Sequence, residues 1–312
     1  MDLERTMISE FVQGDSITGF FVLQQAQLVH FENSDMLRLE LVDSSGRVPG
    51  VVWEGAAGTY NEIKGADVVK VKAVVSSYRD RMQLKVEKIR EAKPDEYDPA
   101  QLVRVAQLGI EKLKEKFDGI ASTVKDPFLA ELLRVFKSDS ETYDRYFRTP
   151  AGKRFHHDYV GGLAEHSLAM ATAADRLCET LSLLDRDLLI CGAIFHDVGK
   201  IAELGGELRM DYTDDGRLVG HMALGDEILC SLISRIPDFP AALERKLRHM
   251  VASHHGEREF GATVLPQTRE AYVLHHIDKI DSGLNVFQHY DSQRTGDWGE
   301  YVNLWERYLY FG

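Results

Sequence analysis

His196 and Asp197 stand side by side at the end of an apolar run, Ala193-Ile194-Phe195. An imidazole and a carboxylate placed in apolar surroundings are costly unless both are engaged. Together they are a good donor set for a first-row divalent ion. Twelve histidines are present, and all but His30 lie beyond residue 150. His166 falls in Gly162-Leu163-Ala164-Glu165-His166, His221 follows Gly220, His254 and His255 precede Gly256, and Asp278 closes His275-His276-Ile277-Asp278. The donors His166, His196, Asp197, His221, His254, His255 and Asp278 exceed what one ion needs. They suffice for two ions about 3.5–4 Å apart if one carboxylate bridges them, and such a pair activates water and binds phosphate oxygens in an in-line displacement.

Those donors are far apart in the chain, so separate helices must bring them together, as helical bundles do. From residue 100 onward the apolar spacing is helical: Leu102, Val105, Leu108 and Leu113, then Phe128, Leu129, Leu132, Leu133 and Phe136. Before it lies a different pattern. Leu37, Leu39 and Leu41 alternate with Arg38 and Glu40; Val69, Val71, Ala73 and Val75 alternate with Lys70 and Lys72; Met82, Leu84 and Val86 alternate with charged or polar residues. With Ser16–Phe31 and Val48–Trp53 this makes five strands, and Ala56–Ile63 reads as a short helix between the third and fourth. The expected fold is multidomain, a small N-terminal OB-type β-barrel followed by an all-α bundle. The expected boundaries are 1–92 for the barrel, 93–149 for a proline-containing linker with connecting helices, and 150–312 for the domain that holds the donors.

The formal net charge of −13 argues against a chain that holds nucleic acid by bulk electrostatics. Locally the balance reverses. Residues 64–93 carry nine bases against four acids, a net +5, and Lys70, Lys72, Arg79, Arg81 and Lys85 lie on or beside the predicted strands. Phe20, Phe21, Phe31, Trp53 and Tyr78 offer stacking surfaces, so a basic face with aromatics is available for a single strand. Cys178, Cys191 and Cys230 form no C-x-x-C pair and read as thiols in a reducing compartment. No signal-like start or membrane-length apolar run is present, so the cytoplasm is the expected location, without a membrane partner.

The series His166, His196-Asp197, Asp278 resembles the HD-domain phosphohydrolase signature, and His221, His254 and His255 resemble its two-metal branch. More narrowly, His156-His157-Asp158-Tyr159-Val160-Gly161-Gly162-Leu163-Ala164-Glu165-His166 is similar to the opening of the HD domain in YhaM-type 3′→5′ exoribonucleases. So is His254-His255-Gly256 followed by Leu265-Pro266-Gln267-Thr268 and His275-His276-Ile277-Asp278. That family also carries an N-terminal OB domain. The resemblance implies one ion on His166, His196, Asp197 and Asp278, and a second on His221, His254 and His255 with Asp197 as the bridge. It implies Lys200 on a phosphate oxygen, so that Asp197 and Lys200 are the catalytic pair. It further implies Mn²⁺ as the working ion, although Fe²⁺, Ni²⁺, Co²⁺ and Mg²⁺ suit the same donors. The implied reaction is hydrolysis of single-stranded RNA from its 3′ end to nucleoside 5′-monophosphates, and whether DNA is also degraded is left open by the sequence.

Lys153, Arg154 and His157 are expected to line the strand's entrance, and His249, His275, His276 and His289 to pack around the site. Trp298, Tyr301, Trp305, Tyr308, Tyr310 and Phe311 are expected to form an aromatic C-terminal helix that docks on the bundle or on a second subunit of a homo-oligomer. Two other functions fit the donors: hydrolysis of a small nucleotide, such as a cyclic dinucleotide or a (d)NTP, and a non-catalytic RNA-binding adaptor with structural metals. The two-metal cyclic-dinucleotide enzymes have a glutamate where this chain has Gly162, and no G-Y-P follows His255, which disfavours that substrate.

Overall fold

The computed structural model describes residues 7–32, 34–78, 81–152, 157–206, 208–291 and 296–312. Two compact units emerge, one of residues 1–105 with 206–211, the other of residues 106–205 with 212–312.

In the first unit β1 (Ser16–His30), β2 (Asp35–Asp43), β3 (Gly46–Val52), β4 (Val68–Tyr78) and β5 (Arg81–Glu91) close a barrel in the order β1-β2-β3-β5-β4. The long β1 serves two neighbours, pairing Val22–His30 with β2 and Ser16–Val22 with β4. Closure is made by a short parallel contact, Gly50 with Leu84 and Val51 with Lys85. The alternation read from the sequence is the one that fills the core: Leu37, Leu39, Leu41, Val69, Val71, Ala73, Val75 and Leu84 all point inward. Helix α1 (Ala56–Ile63) sits between β3 and β4 and adds Ala56 and Ile63 to the same core. A five-stranded closed barrel with a helix at that point in the chain is the OB arrangement.

The second unit is helical. α2 (Ile110–Ala121), α3 (Pro127–Ser138) and α4 (Ser140–Tyr146) precede α5 (Gly162–Thr180), α6 (Arg186–Phe195), α7 (Lys200–Glu203), α8 (Asp214–Leu218), α9 (His221–Ile233), α10 (Ala241–Ser253) and α11 (Arg269–Asp291). At the centre lies α6, started by Asp185, whose side chain accepts from the Leu188 backbone N–H, and buried from Leu188 to Phe195. Residues expected as connecting helices share its core: Leu113, Phe117, Leu132, Phe136, Tyr146 and Phe147 pack in one cluster with Leu163, Ile194 and Phe195.

The aromatic C-terminus is not a helix. Trp298–Val302 and Arg307–Tyr310 form an antiparallel ribbon, pairing Trp298 with Tyr310 and Tyr301 with Tyr308. Its period is two: Tyr308 and Tyr310 face solvent, while Leu309 joins Val302 and Val286 in a small cluster. Trp298, Tyr301, Trp305 and Tyr308 recur at helical intervals, which suits the helical expectation that the ribbon overturns.

Candidate metal centre

Five helices and the turns beside them aim donors at one point in the helical unit. His166 rises from the first turns of α5; His196 caps α6, with Asp197 next to it. His221 begins α9, His254 caps α10 with His255 following, and Asp278 lies on α11. Two glycines permit this convergence. A Cβ on Gly199 would lie 1.9 Å from the His221 carbonyl oxygen, so α9 can start against the His-Asp turn only where no side chain exists. Gly256 has φ +76, and a Cβ there would lie 2.2 Å from the His275 ring, which in turn donates through Nδ1 to the His254 carbonyl at 2.8 Å.

The five imidazoles are oriented by one rule. Each has Nδ1 engaged, which leaves Nε2 for the centre. His196 donates from Nδ1 to Ala193 O at 2.9 Å, His254 to Val251 O at 2.7 Å and His255 to Phe260 O at 2.6 Å. His166 Nδ1 meets Asp281 Oδ2 at 2.7 Å, and His221 Nδ1 meets Glu203 Oε1 at 3.0 Å.

The Asp197 carboxylate, 3% exposed, divides the donors into two clusters. Its Oδ2 is 3.3 Å from His196 Nε2 and 3.9 Å from His166 Nε2, and His166 Nε2 is 3.4 Å from Asp278 Oδ1. Its Oδ1 is 3.5 Å from both His221 Nε2 and His254 Nε2. Ligand atoms of His166, His196 and Asp197 all lie within 4.8 Å of one another, and so do those of His221, His254 and His255. Asp197 Oδ1, His221 Nε2 and His254 Nε2 are buried without a hydrogen-bond partner. Three lone-pair atoms desolvated around one spot are costly alone and reasonable around a cation, so the residues fit divalent metal.

The electrostatics agree. Burial opposes the charge on Asp197, yet Lys200 and His196 hold it well below the usual carboxylate range. Burial likewise opposes ionisation of Asp278, and His166 more than offsets it. Burial would lower His166, but its bonds with Asp278 and Asp281 outweigh this and raise it to about 9. In the metal-free chain these bonds favour a protonated His166, and a cation at its Nε2 would take the proton's place. In the other cluster burial pushes His254 down to about 4 and lowers His255 as well.

All seven expected donors therefore meet. Other expectations change. Lys200 is buried, with Nζ 2.7 Å from Asp197 Oδ2 and donating to Ala151 O, so it neutralises the carboxylate rather than standing free for a phosphate. His157 does not line an entrance. It is 8% exposed, its backbone has a φ of 46, and its Nε2 lies 3.1 Å from Asp281 Oδ2 on α11. Lys153 and Arg154 lie outside the described residues, as does Arg79. Two residues were missed altogether, Asp281 and Glu203. Each stands one turn after a residue already singled out, Asp278 and Lys200, a spacing that puts it on the same helical face.

On the barrel, Lys70 and Lys72 face Arg90 and Lys88 across the β4–β5 ladder, so four cations share one face, around a cavity of about 520 Å³. Like charges directly opposite one another destabilise a sheet, and here Glu87, 3.2 Å from Lys72, and Glu96, 2.6 Å from Arg90, offset two of the four. Lys85 and Arg81 are exposed on β5. Phe31 and Trp53 stack at 6.3 Å and are each 52% exposed, whereas Phe21 is a core residue. Among the described residues no helix is long and apolar enough to cross a membrane.

Comparison with known proteins places names beside these features. The family described as HD domain matches residues 163–283, the stretch that supplies all seven donors. The barrel is similar to the second OB-fold domain of replication protein A from Methanococcus maripaludis, at 21% identity over 28% of this chain and 94% of that one, with a TM-score of 0.25. At that score it is the barrel's own strand order that identifies its topology. The chain thus joins a five-stranded OB-like barrel to an HD phosphohydrolase domain over residues 163–283, with His/Asp clusters suited to divalent metal.

Proposed function

We propose that this protein is a cytoplasmic, Mn²⁺-dependent 3′→5′ exoribonuclease that hydrolyses single-stranded RNA to nucleoside 5′-monophosphates. The observation that carries the reading is the division of Asp197, with one carboxylate oxygen in each of two donor clusters. That geometry supports two ions with Asp197 as bridge, one on His166, His196 and Asp278, the other on His221, His254 and His255. Mn²⁺ is the ion that the family resemblance implies, and a nitrogen-and-oxygen donor set without thiolate is compatible with it. Two such ions, when bound, lower the pKa of a shared water and offset charge on the scissile phosphate.

The chain's own residues do the rest. Five anchored imidazoles hold the donors in place before the substrate arrives. Lys200, tied to Asp197, offsets carboxylate charge where a polyanion must approach. On the barrel, Lys70, Lys72, Lys88 and Arg90 form a face for the phosphate backbone, while Phe31 and Trp53 offer base-stacking surfaces. A polymeric substrate uses both units, whereas a small nucleotide leaves the barrel's cation rows without a role.

RNA labelled at the 3′ or the 5′ end, incubated with the metal-loaded protein, tests the proposal. Early release of labelled mononucleotide from the 3′-labelled strand, with progressive shortening of the 5′-labelled one, is expected. Turnover of a (d)NTP or cyclic dinucleotide far above RNA would transfer the site to a small substrate. RNA binding without turnover, unaffected by His196→Ala, would make the protein an adaptor.

A further inference from the structure

We infer that Asp281 and Glu203 are positioning residues, one for each ion, acting through His166 and His221; this rests on the two-ion reading above. Three of the five imidazoles anchor Nδ1 on backbone carbonyls, those of Ala193, Val251 and Phe260, which the local turns fix. Only His166 and His221 anchor on carboxylates. A carboxylate that accepts the Nδ1–H both fixes the ring and makes Nε2 a stronger donor to a cation. The two anchors fall in different clusters, so each ion has one imidazole strengthened in this way.

Both carboxylates are themselves held. Glu203 is 9% exposed, and its Oε1 also accepts the His221 backbone N–H at 3.2 Å, which locks the start of α9 together with the ring. Asp281 Oδ2 is shared between His166 at 2.7 Å and His157 at 3.1 Å. His157 Nδ1 meets the Tyr159 hydroxyl at 2.7 Å, and that hydroxyl donates to Glu165. On α11, Asp278 and Asp281 are one turn apart, so a single helix supplies both a ligand and the anchor of a second ligand to the same ion. Asp281 and Glu203 contact the Nδ1 side of His166 and His221, opposite the Nε2 atoms that face Asp197, which makes them positioning residues rather than catalytic ones.

The test is calorimetric titration of the metal-stripped full-length chain with Mn²⁺, joined to the absorption spectrum of the Co²⁺-loaded protein. Asp281→Asn should weaken one of the two Mn²⁺ ions by about 10–100-fold and leave the other intact, and Glu203→Gln should do the same to the other ion. The Co²⁺ band lost in Asp281→Asn should be the band lost in His166→Ala, and that lost in Glu203→Gln the band lost in His221→Ala. A purely structural role would weaken both ions alike in each variant, and that result overturns the inference. So do two variants that bind both ions as the wild type does. If Asp281→Asn does not fold, His157→Gln reaches the same carboxylate from its other side and should weaken the same ion more modestly; no change there counts against the inference. Wild type that binds fewer than two Mn²⁺ brings down the two-ion reading itself; wild type that binds two, with unaltered variants, brings down this inference alone.

Discussion

The barrel and the metal centre use charge in opposite ways. On the barrel the cations sit at the surface on paired strands, Lys72 opposite Lys88 and Lys70 opposite Arg90, with Glu87 beside Lys72 and Glu96 beside Arg90, and water and salt screen them. In the centre the charges are buried, His166, Asp197 and Lys200 among them, and every one depends on a named neighbour. Exposed charges contribute as a sum, so any single one is dispensable. Buried charges contribute as a network, and removing one leaves its partners unsatisfied in a low-dielectric interior. The difference predicts steep effects in one unit and shallow ones in the other.

The steepest is at Asp197. Asp197→Ala removes the carboxylate that, among the described residues, the two donor clusters share, so it should abolish binding of both ions and lower RNA hydrolysis by more than about a hundredfold. Metal content of the purified variant, counted per chain, checks this; a variant that retains one tightly bound ion would mean that Asp197 serves a single site. Next come the unshared donors. His196→Ala and His254→Ala should each lose one ion, and a different one, because their Nε2 atoms face different oxygens of Asp197. Two variants with the same residual Co²⁺ spectrum would erase the distinction between clusters.

A third effect separates the clusters by pH in the metal-free chain. His254, lowered to about 4 from an ordinary 6.5, is protonated first in the unfolded state. Its contribution to stability is therefore complete above pH 6.5 and lost as pH falls through about 4. His166, raised to about 9, behaves in the opposite sense: its contribution is complete below 6.5 and lost as pH rises through about 9. The metal-free protein should be most stable near the shared ordinary value, with each limb worth on the order of 3 kcal/mol. Melting midpoints across pH 4–9 measure it. Saturating Mn²⁺ should remove the alkaline limb, because the ion displaces the proton from His166. A metal-free midpoint that keeps rising between pH 7 and 9 would contradict the charge placed on His166.

The same contrast governs what could be read without coordinates. The barrel was legible because a strand's period is two and its core residues recur in place; Leu37, Leu39 and Leu41 announce themselves. The seven donors were legible because histidine next to aspartate on an apolar helix is chemically conspicuous. Asp281 and Glu203 were not, since a carboxylate on a helix ordinarily faces water and nothing local marks its partner. Asp281 meets His166 across 115 positions and His157 across 124. His157 was read as lining an entrance and Lys200, through the resemblance, as meeting a phosphate; packing instead turned both toward carboxylates. The C-terminal ribbon was missed for another reason, that six large aromatics in a short stretch suit either period, and only Val302 and Leu309 facing Val286 decides it.

The smallest effects belong to the barrel, and they discriminate among its cations. Each cation on a phosphate track should contribute about 0.7 to the slope of log affinity against log salt for a single strand, whatever the sequence. Lys88→Ala should therefore weaken binding of an RNA oligonucleotide a few-fold and flatten the slope by about that amount. Lys72 differs, because Glu87 lies 3.2 Å from its ammonium and already offsets part of its field. Glu87 is also the extra residue at the bulge where the ladder skips from Lys88 to Val86, so it stands beside the cation row without a strand partner. Lys72→Ala should then flatten the slope less than Lys88→Ala does, and Glu87→Gln should steepen it. Equal slopes in all three variants would mean that the row does not track phosphate, and would leave the exposed Phe31–Trp53 stack as the barrel's hold on the strand.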